Sequence, residues 1–155
     1  MRRIGFALLV TIVLFALIQL VPYGRNHTNP PVRQEPVWDS PRTRELARRA
    51  CFDCHSNETV WPWYSNIAPL SWMVQRDVEA GRRVLNFSEW DRPQEEAGEI
   101  IEVIQEGEMP PFTYRLLHPQ ARFSSAERAA LIQGFKRTLE LSGVPLNTED
   151  RDDND

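Results

Sequence analysis

The most informative stretch of the chain is Cys51-Phe52-Asp53-Cys54-His55, a C-x-x-C-H motif. Two thiols at this spacing can each bond to one vinyl group of a haem, and the imidazole that follows is then carried beneath the iron. The motif is the attachment signature of c-type haem. We therefore expect Cys51 and Cys54 to hold one covalent haem c per chain, and His55 to bind its iron.

Three other sites would also use these residues, and they stay open at this point. A zinc site would take Cys51, Cys54 and His55, but structural zinc has four ligands and the chain has only 2 cysteines. A thioredoxin-like dithiol occurs in a βα context that the flanking sequence does not predict. A disulfide between the two cysteines would close a short and strained loop.

Helical patterns surround the motif. Ser40-Pro41 is an N-cap followed by a proline at the first helical position, which predicts a helix leading into the motif. Apolar spacing predicts helices over 71–85 and 94–105, and Ser124-Ser125-Ala126-Glu127 is a capping box that begins a last helix. No stretch alternates convincingly with period two. The predicted fold class is therefore all-α, with a single small domain.

The sequence offers few side chains for the opposite face of the iron. Met109 lies in Gly107-Glu108-Met109-Pro110-Pro111, a proline-stiffened loop directly after a predicted helix, and it is the favoured ligand. Met73 lies in mid-helix and is expected to pack in the core. His118 is a further candidate, whereas His27 lies in a polar segment where a solvated side chain is expected.

Large aromatic residues follow the motif closely, and we expect them to wall the haem or simply to fill the core. They are Trp61, Trp63, Tyr64 and Trp72. A carbonyl of Pro62 or Pro69 is a candidate acceptor for the Nδ1–H of His55. Gly134 is expected to let the last helix cross close to Ala47 or Ala50. Candidates for the haem propionates are Arg82, Arg83, Arg115 and Tyr114, each of which is otherwise a solvated surface group.

The N-terminal residues are strongly apolar. Met1-Arg2-Arg3 precedes an uncharged run over 4–21, about 18 residues and barely enough for a membrane-spanning helix. We predict an uncleaved transmembrane anchor over 1–22, with a cleaved signal peptide or a buried helix as alternatives. The two arginines favour a cytoplasmic N-terminus. The expected location is the bacterial inner membrane, single pass, with the rest of the chain in the periplasm or outside the cell.

The remaining sequence divides by composition into three further parts. Residues 23–38 are rich in proline and predict an extended tether, 39–145 form the helical domain, and 146–155 are an acidic, disordered tail. The net charge of −4 argues against nucleic-acid binding, which requires a basic face.

The layout resembles a class I c-type cytochrome. More closely, residues 51–59 and 61–72, with Asn86–Trp90 and Gly107–Pro110, resemble the bacterial haem-binding domain family of small membrane-anchored c-haem proteins. The resemblance covers about residues 23 to 142. It implies a cytochrome c-like fold with thioether bonds at Cys51 and Cys54, His55 as the proximal ligand and Met109 as the distal ligand. The aromatic segment after His55 departs from ordinary class I domains.

These observations predict a membrane-anchored monohaem cytochrome that transfers electrons in the periplasm and is not itself an enzyme. With both axial positions of the iron filled, only electron exchange remains. Its partners would be redox proteins in or at the membrane, and the sequence does not indicate an oligomeric state. The alternatives are a haem-based sensor or ligand-binding domain with an open sixth position, and a peroxidase-like enzyme, which would want a distal histidine or arginine.

Overall fold

The computed structural model describes residues 2–145, which form α-helices joined by loops and short 3-10 turns. The α-helices are α1 (Arg2–Ile18), α2 (Pro41–Ala50), α3 (Phe52–His55), α4 (Leu70–Val84), α5 (Ile100–Gln105), α6 (Phe112–Leu117) and α7 (Ser125–Leu141). The 3-10 turns span Trp63–Asn66, Ala97–Glu99 and Pro119–Ala121. Residues 2–145 contain no β-strand, so the helical part of the prediction is confirmed. The predicted acidic tail, 146–155, lies outside the described residues.

Helices α2 and α7 begin at the caps that the sequence predicts. The Ser40 hydroxyl accepts a hydrogen bond from the Thr43 amide at 3.2 Å. At the start of α7, the Ser124 hydroxyl accepts from the Glu127 amide at 3.2 Å, and the Glu127 carboxylate accepts from the Ser124 amide at 3.0 Å. These bonds satisfy amides that a helix cannot pair internally, which fixes where both helices start.

The α2 and α7 helices cross at Gly134. A Cβ there would lie 2.7 Å from Thr43 Cγ2, so a larger residue would force the helices apart. The sequence predicts this close approach at Ala47 or Ala50, whereas it lies at Thr43. The core packs beside this crossing and consists of Leu46, Ala47, Phe52, Leu85, Phe87, Ala97, Ile100, Ile104, Leu131, Phe135 and Leu139.

Phe52 connects the C-x-x-C-H motif to this core. Its side chain is 1% exposed, and its ring stacks on Phe87 with the ring centres 5.6 Å apart. Phe87 stacks in turn on Phe135 of α7 at 5.7 Å. Burial of the Phe52 side chain therefore fixes the position of the short helix α3, which also carries Asp53, Cys54 and His55.

The third predicted helix is shorter than its apolar spacing suggests. The sequence predicts a helix over 94–105, whereas the structure has a 3-10 turn at Ala97–Glu99 followed by α5. Gln94 accounts for the difference, because its side chain donates to the Glu89 carbonyl at 2.7 Å and accepts from the Asn86 amide at 2.8 Å. These bonds hold a loop where a helix would otherwise start.

The predicted transmembrane helix over 1–22 is wrong. None of the helices within residues 2–145 combines the length and apolar character needed to cross a membrane. Helix α1 has 17 residues and ends at Ile18. Gln19 then turns toward the domain, donating to the Ala68 carbonyl at 2.9 Å and accepting from the Ala68 amide at 3.0 Å. These bonds divide the apolar run that the sequence presents as continuous.

The segment 23–38, predicted to be an extended tether, contacts the domain. The Arg33 amide donates to the Ser88 carbonyl at 2.9 Å, and the Trp90 amide donates to the Gln34 carbonyl at 2.9 Å. The Trp38 ring lies 5.4 Å from the Phe87 ring in the core. The segment is therefore paired through its main chain with the loop after α4.

Candidate functional site

Cys51, Cys54 and His55 lie on a single helical turn. The Cys51 carbonyl accepts hydrogen bonds from the amides of Cys54 at 3.1 Å and of His55 at 2.9 Å. Both cysteines are free, and all three motif side chains are partly exposed. The turn brings two thiols and an imidazole close together at the end of α2, which is the arrangement that haem attachment needs.

Burial keeps both thiols in their protonated form. Desolvation raises the pKa of Cys51 to about 12, and the neighbouring Cys54 adds to the effect. Desolvation likewise raises the pKa of Cys54 to about 12, with further contributions from the carboxylates of Asp77 and Asp53. At neutral pH both residues are therefore neutral thiols.

A main-chain carbonyl orients the His55 ring. Its Nδ1 lies 3.1 Å from the Leu85 carbonyl oxygen, and this contact replaces the predicted acceptors at Pro62 and Pro69. Burial lowers the pKa of His55, which favours the neutral imidazole. A neutral ring that donates through Nδ1 has its lone pair on Nε2, the atom a metal would bind.

Helix α4 approaches the motif at Gly81. A Cβ added to Gly81 would lie 3.1 Å from Cys54 Cβ and closer still to the Cys54 carbonyl. Gly81 is therefore a site residue that the sequence analysis missed. Its signal was a glycine inside an otherwise helical pattern, which often marks close packing. One turn later the same helix leads to Leu85, the acceptor for His55.

Asp53, between the two cysteines, joins three parts of the site. One carboxylate oxygen accepts from the Val60 amide at 2.9 Å, and the other accepts from the Tyr114 hydroxyl of α6 at 2.6 Å. The Asp53 carbonyl accepts from the Thr59 hydroxyl at 2.7 Å. Burial, followed by the charge of Asp53, raises the pKa of Tyr114, so the phenol stays protonated. No local sequence pattern marks this contact.

The predicted aromatic pocket residues lie in different surroundings. Trp61 stacks on His27 at 4.8 Å, and its indole N–H donates to the Asn29 side chain at 3.1 Å. Trp63 is 76% exposed. Tyr64 is half-buried, and its pKa is raised by desolvation and by the nearby Asp53 and Cys54 side chains. Tyr64 therefore lies near Asp53 and Cys54 of the motif.

Met109 lies in the loop between α5 and α6. Gly107 begins this loop with φ +80°, and the Met109 amide donates to the Val103 carbonyl at 3.0 Å. The Met109 side chain is 38% exposed. Three residues later α6 begins, and through Tyr114 it contacts Asp53 in the motif. The Met109 loop is therefore linked to the C-x-x-C-H turn through helix α6.

The other ligand candidates occupy different environments. Met73, expected in the core, is 55% exposed on α4, so that expectation is wrong. His118 stacks on the Tyr114 ring at 3.9 Å, and its Nδ1 lies 2.9 Å from the Tyr114 carbonyl. His27 is not simply solvated, because its Nε2 contacts the Ser65 hydroxyl at 2.9 Å.

Arg82, a candidate for the haem propionates, is engaged by the protein itself. Its guanidinium donates to the Ser56 carbonyl at 2.8 Å, the Thr59 hydroxyl at 2.9 Å and the Thr28 carbonyl at 3.0 Å. It also donates to the Asn29 side chain at 2.9 Å. These bonds tie the loop after the motif to the N-terminal segment.

The loops and helices that flank the motif present many exposed apolar side chains. They are Val60, Trp63, Ile67, Leu70, Met73, Met109, Phe112, Leu116 and Leu117. Where exposed apolar side chains form one contiguous patch, they mark a surface for a partner or a ligand. A haem is a flat apolar disc with a central metal. Two free thiols, an imidazole oriented through Nδ1 and this surface together fit such a group.

The sequence profile of the haem-binding domain family matches residues 13–137. The match runs from the last turns of α1 into α7 and includes the motif, the packed segment 23–38 and the Met109 loop. Comparison with curated proteins and with solved structures finds no match. The family profile covers well over half of the chain, so the protein belongs to the haem-binding domain family and is a haem-binding protein.

Proposed function

We propose that this protein is a monohaem c-type cytochrome that transfers electrons and performs no enzymatic step of its own. The haem is held covalently by Cys51 and Cys54, with His55 and Met109 as axial ligands. The observation that carries the proposal is the geometry of the motif turn. It presents two protonated thiols and an imidazole whose Nδ1 lies 3.1 Å from the Leu85 carbonyl.

The two neutral thiols supply the covalent attachment. Each thioether forms when a thiol adds across one vinyl double bond, with the sulfur bonding to one carbon and its hydrogen moving to the other. The C=C bond becomes a single bond, so the addition consumes no oxidant or reductant. Two such bonds keep the haem on the protein independently of the iron ligands.

The axial residues determine what the bound haem does. Haem supplies reversible one-electron exchange at its iron. The Leu85 carbonyl fixes the ring orientation of His55 and raises its basicity as a donor. A thioether ligand from Met109 favours the reduced state, which raises the reduction potential. With both His55 and Met109 bound to the iron, no position would be open to a substrate, which supports electron transfer.

We further propose that the protein works outside the bacterial cytoplasm with other redox proteins. Attachment of haem to a C-x-x-C-H motif is an extracytoplasmic process in bacteria, which supports this location. The net charge of −4 favours partners whose docking surface is basic.

A haem sensor or ligand-binding domain is the second candidate. Helix α6, which follows Met109, has no buried residue. The Met109 loop is therefore attached to a helix with little core packing, and a loop of this kind can leave the iron when another ligand competes.

The proposal is tested on the full chain, expressed in a bacterium that matures c-type haem. A haem that stays with the protein under denaturing conditions supports covalent attachment, and Cys51→Ala with Cys54→Ala should abolish it. Low-spin ferric and ferrous spectra that do not change with CO support the electron carrier. Rapid CO binding by the unmodified protein would favour the second candidate. Protein without covalent haem would overturn the proposal.

Met109→Ala tests the distal ligand. The substitution removes the thioether, so we expect the far-red absorption of sulfur-bound ferric iron to disappear, the reduction potential to fall and CO to bind. Met73→Ala is the matched control, since it removes an exposed methionine from α4 and should leave all three properties unchanged. If Met73→Ala removes the band and Met109→Ala does not, the ligand assignment is wrong.

A further inference from the structure

Helix α6 has very little to hold it in place. It has 6 residues, none of them buried. Its C-terminal end is tied to the following loop, because the Arg122 guanidinium donates to the carbonyls of Arg115 at 2.7 Å and Leu116 at 2.8 Å. These bonds are local and do not connect α6 to the rest of the domain.

One side-chain hydrogen bond joins α6 to the haem-attachment turn within the described residues. It runs from the Tyr114 hydroxyl to a carboxylate oxygen of Asp53 at 2.6 Å. Tyr114 lies close enough to Cys51 and Cys54 for both to affect its ionisation. The His118 ring stacks on the same ring, with the two ring centres 3.9 Å apart. The bond therefore lies beside the two thiols.

Asp53 is well placed to receive this bond. Its other carboxylate oxygen is fixed by the Val60 amide at 2.9 Å, and its main chain belongs to α3. The acceptor is thus held by the attachment turn itself. The donor belongs to the helix that starts three residues after Met109.

We infer that the Tyr114–Asp53 hydrogen bond is a latch that keeps the Met109 loop closed over the haem. Tyr114 is a positioning residue, because it acts through Met109 and the helix between them. The inference rests on the proposed function, since it assigns the latch to the distal ligand. Breaking the bond should free α6, let Met109 leave the iron more often and open the sixth position to external ligands.

Tyr114→Phe in the holoprotein removes the hydroxyl and keeps the ring and its stacking on His118. Loss of one hydrogen bond to a charged group should raise the open fraction about tenfold. We therefore expect about tenfold faster hydrogen exchange of the Arg115 and His118 amides, and about tenfold faster CO binding to the ferrous protein. The matched control is Tyr23→Phe, which breaks a 2.8 Å bond to Glu79 on α4 and should change neither rate.

The double variant Met109→Ala/Tyr114→Phe shows whether the latch acts through the ligand. If it does, Tyr114→Phe accelerates CO binding when Met109 is present and has no effect when Met109 is alanine. An equal acceleration in both backgrounds would mean that the Tyr114 hydroxyl limits the access of CO independently of Met109, and would overturn the inference. Unchanged amide exchange in Tyr114→Phe would also overturn it.

The same measurements separate the latch from the proposed function. If the unmodified protein lacks the sulfur-to-iron band and Met109→Ala leaves its spectra unchanged, the ligation proposal fails. The claim that Tyr114 controls the sixth position falls with it. If the band is present and Tyr114→Phe affects neither exchange nor CO binding, the ligation proposal stands and the latch alone is rejected.

Discussion

Gly81 has a strict steric requirement beside the C-x-x-C-H turn. It lies in the interior of α4, where alanine would normally be favoured over glycine by about 1 kcal/mol. The backbone of Cys54 occupies the space that a side chain would need. This close approach lets α4 support the motif and present the Leu85 carbonyl to His55.

Gly81→Ala should therefore destabilise the protein despite its better helix propensity. Overpacking against backbone cannot be relieved by a rotamer change, so we expect a loss of about 1–3 kcal/mol in the free energy of unfolding. Haem incorporation should fall as well, because α4 and the motif separate. Gly5→Ala is the control, since nothing lies within 4 Å of its added Cβ. Denaturant unfolding and haem content per chain measure both effects, and an unchanged Gly81→Ala protein would contradict the steric argument.

At the level of the helices, the N-terminus of α7 is stabilised by an ion pair with α2 as well as by its capping box. Glu127 accepts from Ser124 in the capping box and from the Arg49 guanidinium of α2 at 2.8 Å. Arg49 also donates to the Gln120 carbonyl at 2.9 Å. The Arg49–Glu127 pair thus joins α2 to α7, and the Arg49 guanidinium also joins α2 to the segment between α6 and α7.

This arrangement predicts a pH dependence. The Ser124 amide, followed by the Arg49 guanidinium, lowers the pKa of Glu127 to about 2 from an ordinary value of 4.5. A lowered folded-state pKa gives stability that is complete above pH 4.5 and is lost as the pH falls toward 2. Glu127→Gln should therefore melt below the unmodified protein at pH 6, with the two melting temperatures converging near pH 2. Glu140→Gln, at the exposed end of α7, is the control. A constant difference across this pH range would contradict the assignment.

For the molecule as a whole, Arg82 connects segments that are far apart in the sequence. It bonds to Thr28 and Asn29 before the domain, and to Ser56 and Thr59 after the motif. Partial burial lowers the pKa of Arg82. The N-terminal segment and the loop after the motif are therefore held by the same side chain.

Arg82→Met keeps much of the apolar stem and removes the guanidinium. We expect a loss of about 2–3 kcal/mol in the free energy of unfolding, because several carbonyl and hydroxyl partners lose a charged donor. Limited proteolysis should cut residues 23–38 sooner than in the unmodified protein. Arg83→Met, at the exposed neighbouring position, is the control. If residues 23–38 are cut no sooner in Arg82→Met than in Arg83→Met, Arg82 does not hold this segment in place.

The features that could be predicted from the sequence are those whose partners are close in the chain. The C-x-x-C-H turn, the Ser40 cap and the capping box at Ser124 each depend on residues within about one turn of helix. The Leu85 acceptor for His55 and the Tyr114 donor to Asp53 depend on residues 30 and 61 positions away, and no local pattern marks them.

The N-terminal segments show the same dependence on distant partners. The apolar run over 4–21 has the composition of a membrane span, but its helix ends at Ile18 because Gln19 bonds to Ala68, 49 positions away. Residues 23–38 have the composition of a free linker, yet Trp38 packs on the core. Composition describes what a segment is compatible with, and the tertiary partners decide which structure it adopts.

The hydrogen bond from His55 to Leu85 uses a main-chain oxygen, and every amino acid at position 85 would supply the same atom. A substitution at position 85 therefore leaves the acceptor for His55 Nδ1 in place, as long as the backbone after α4 follows the same path. Its effect on the protein would come from packing, because the Leu85 side chain is buried in the core.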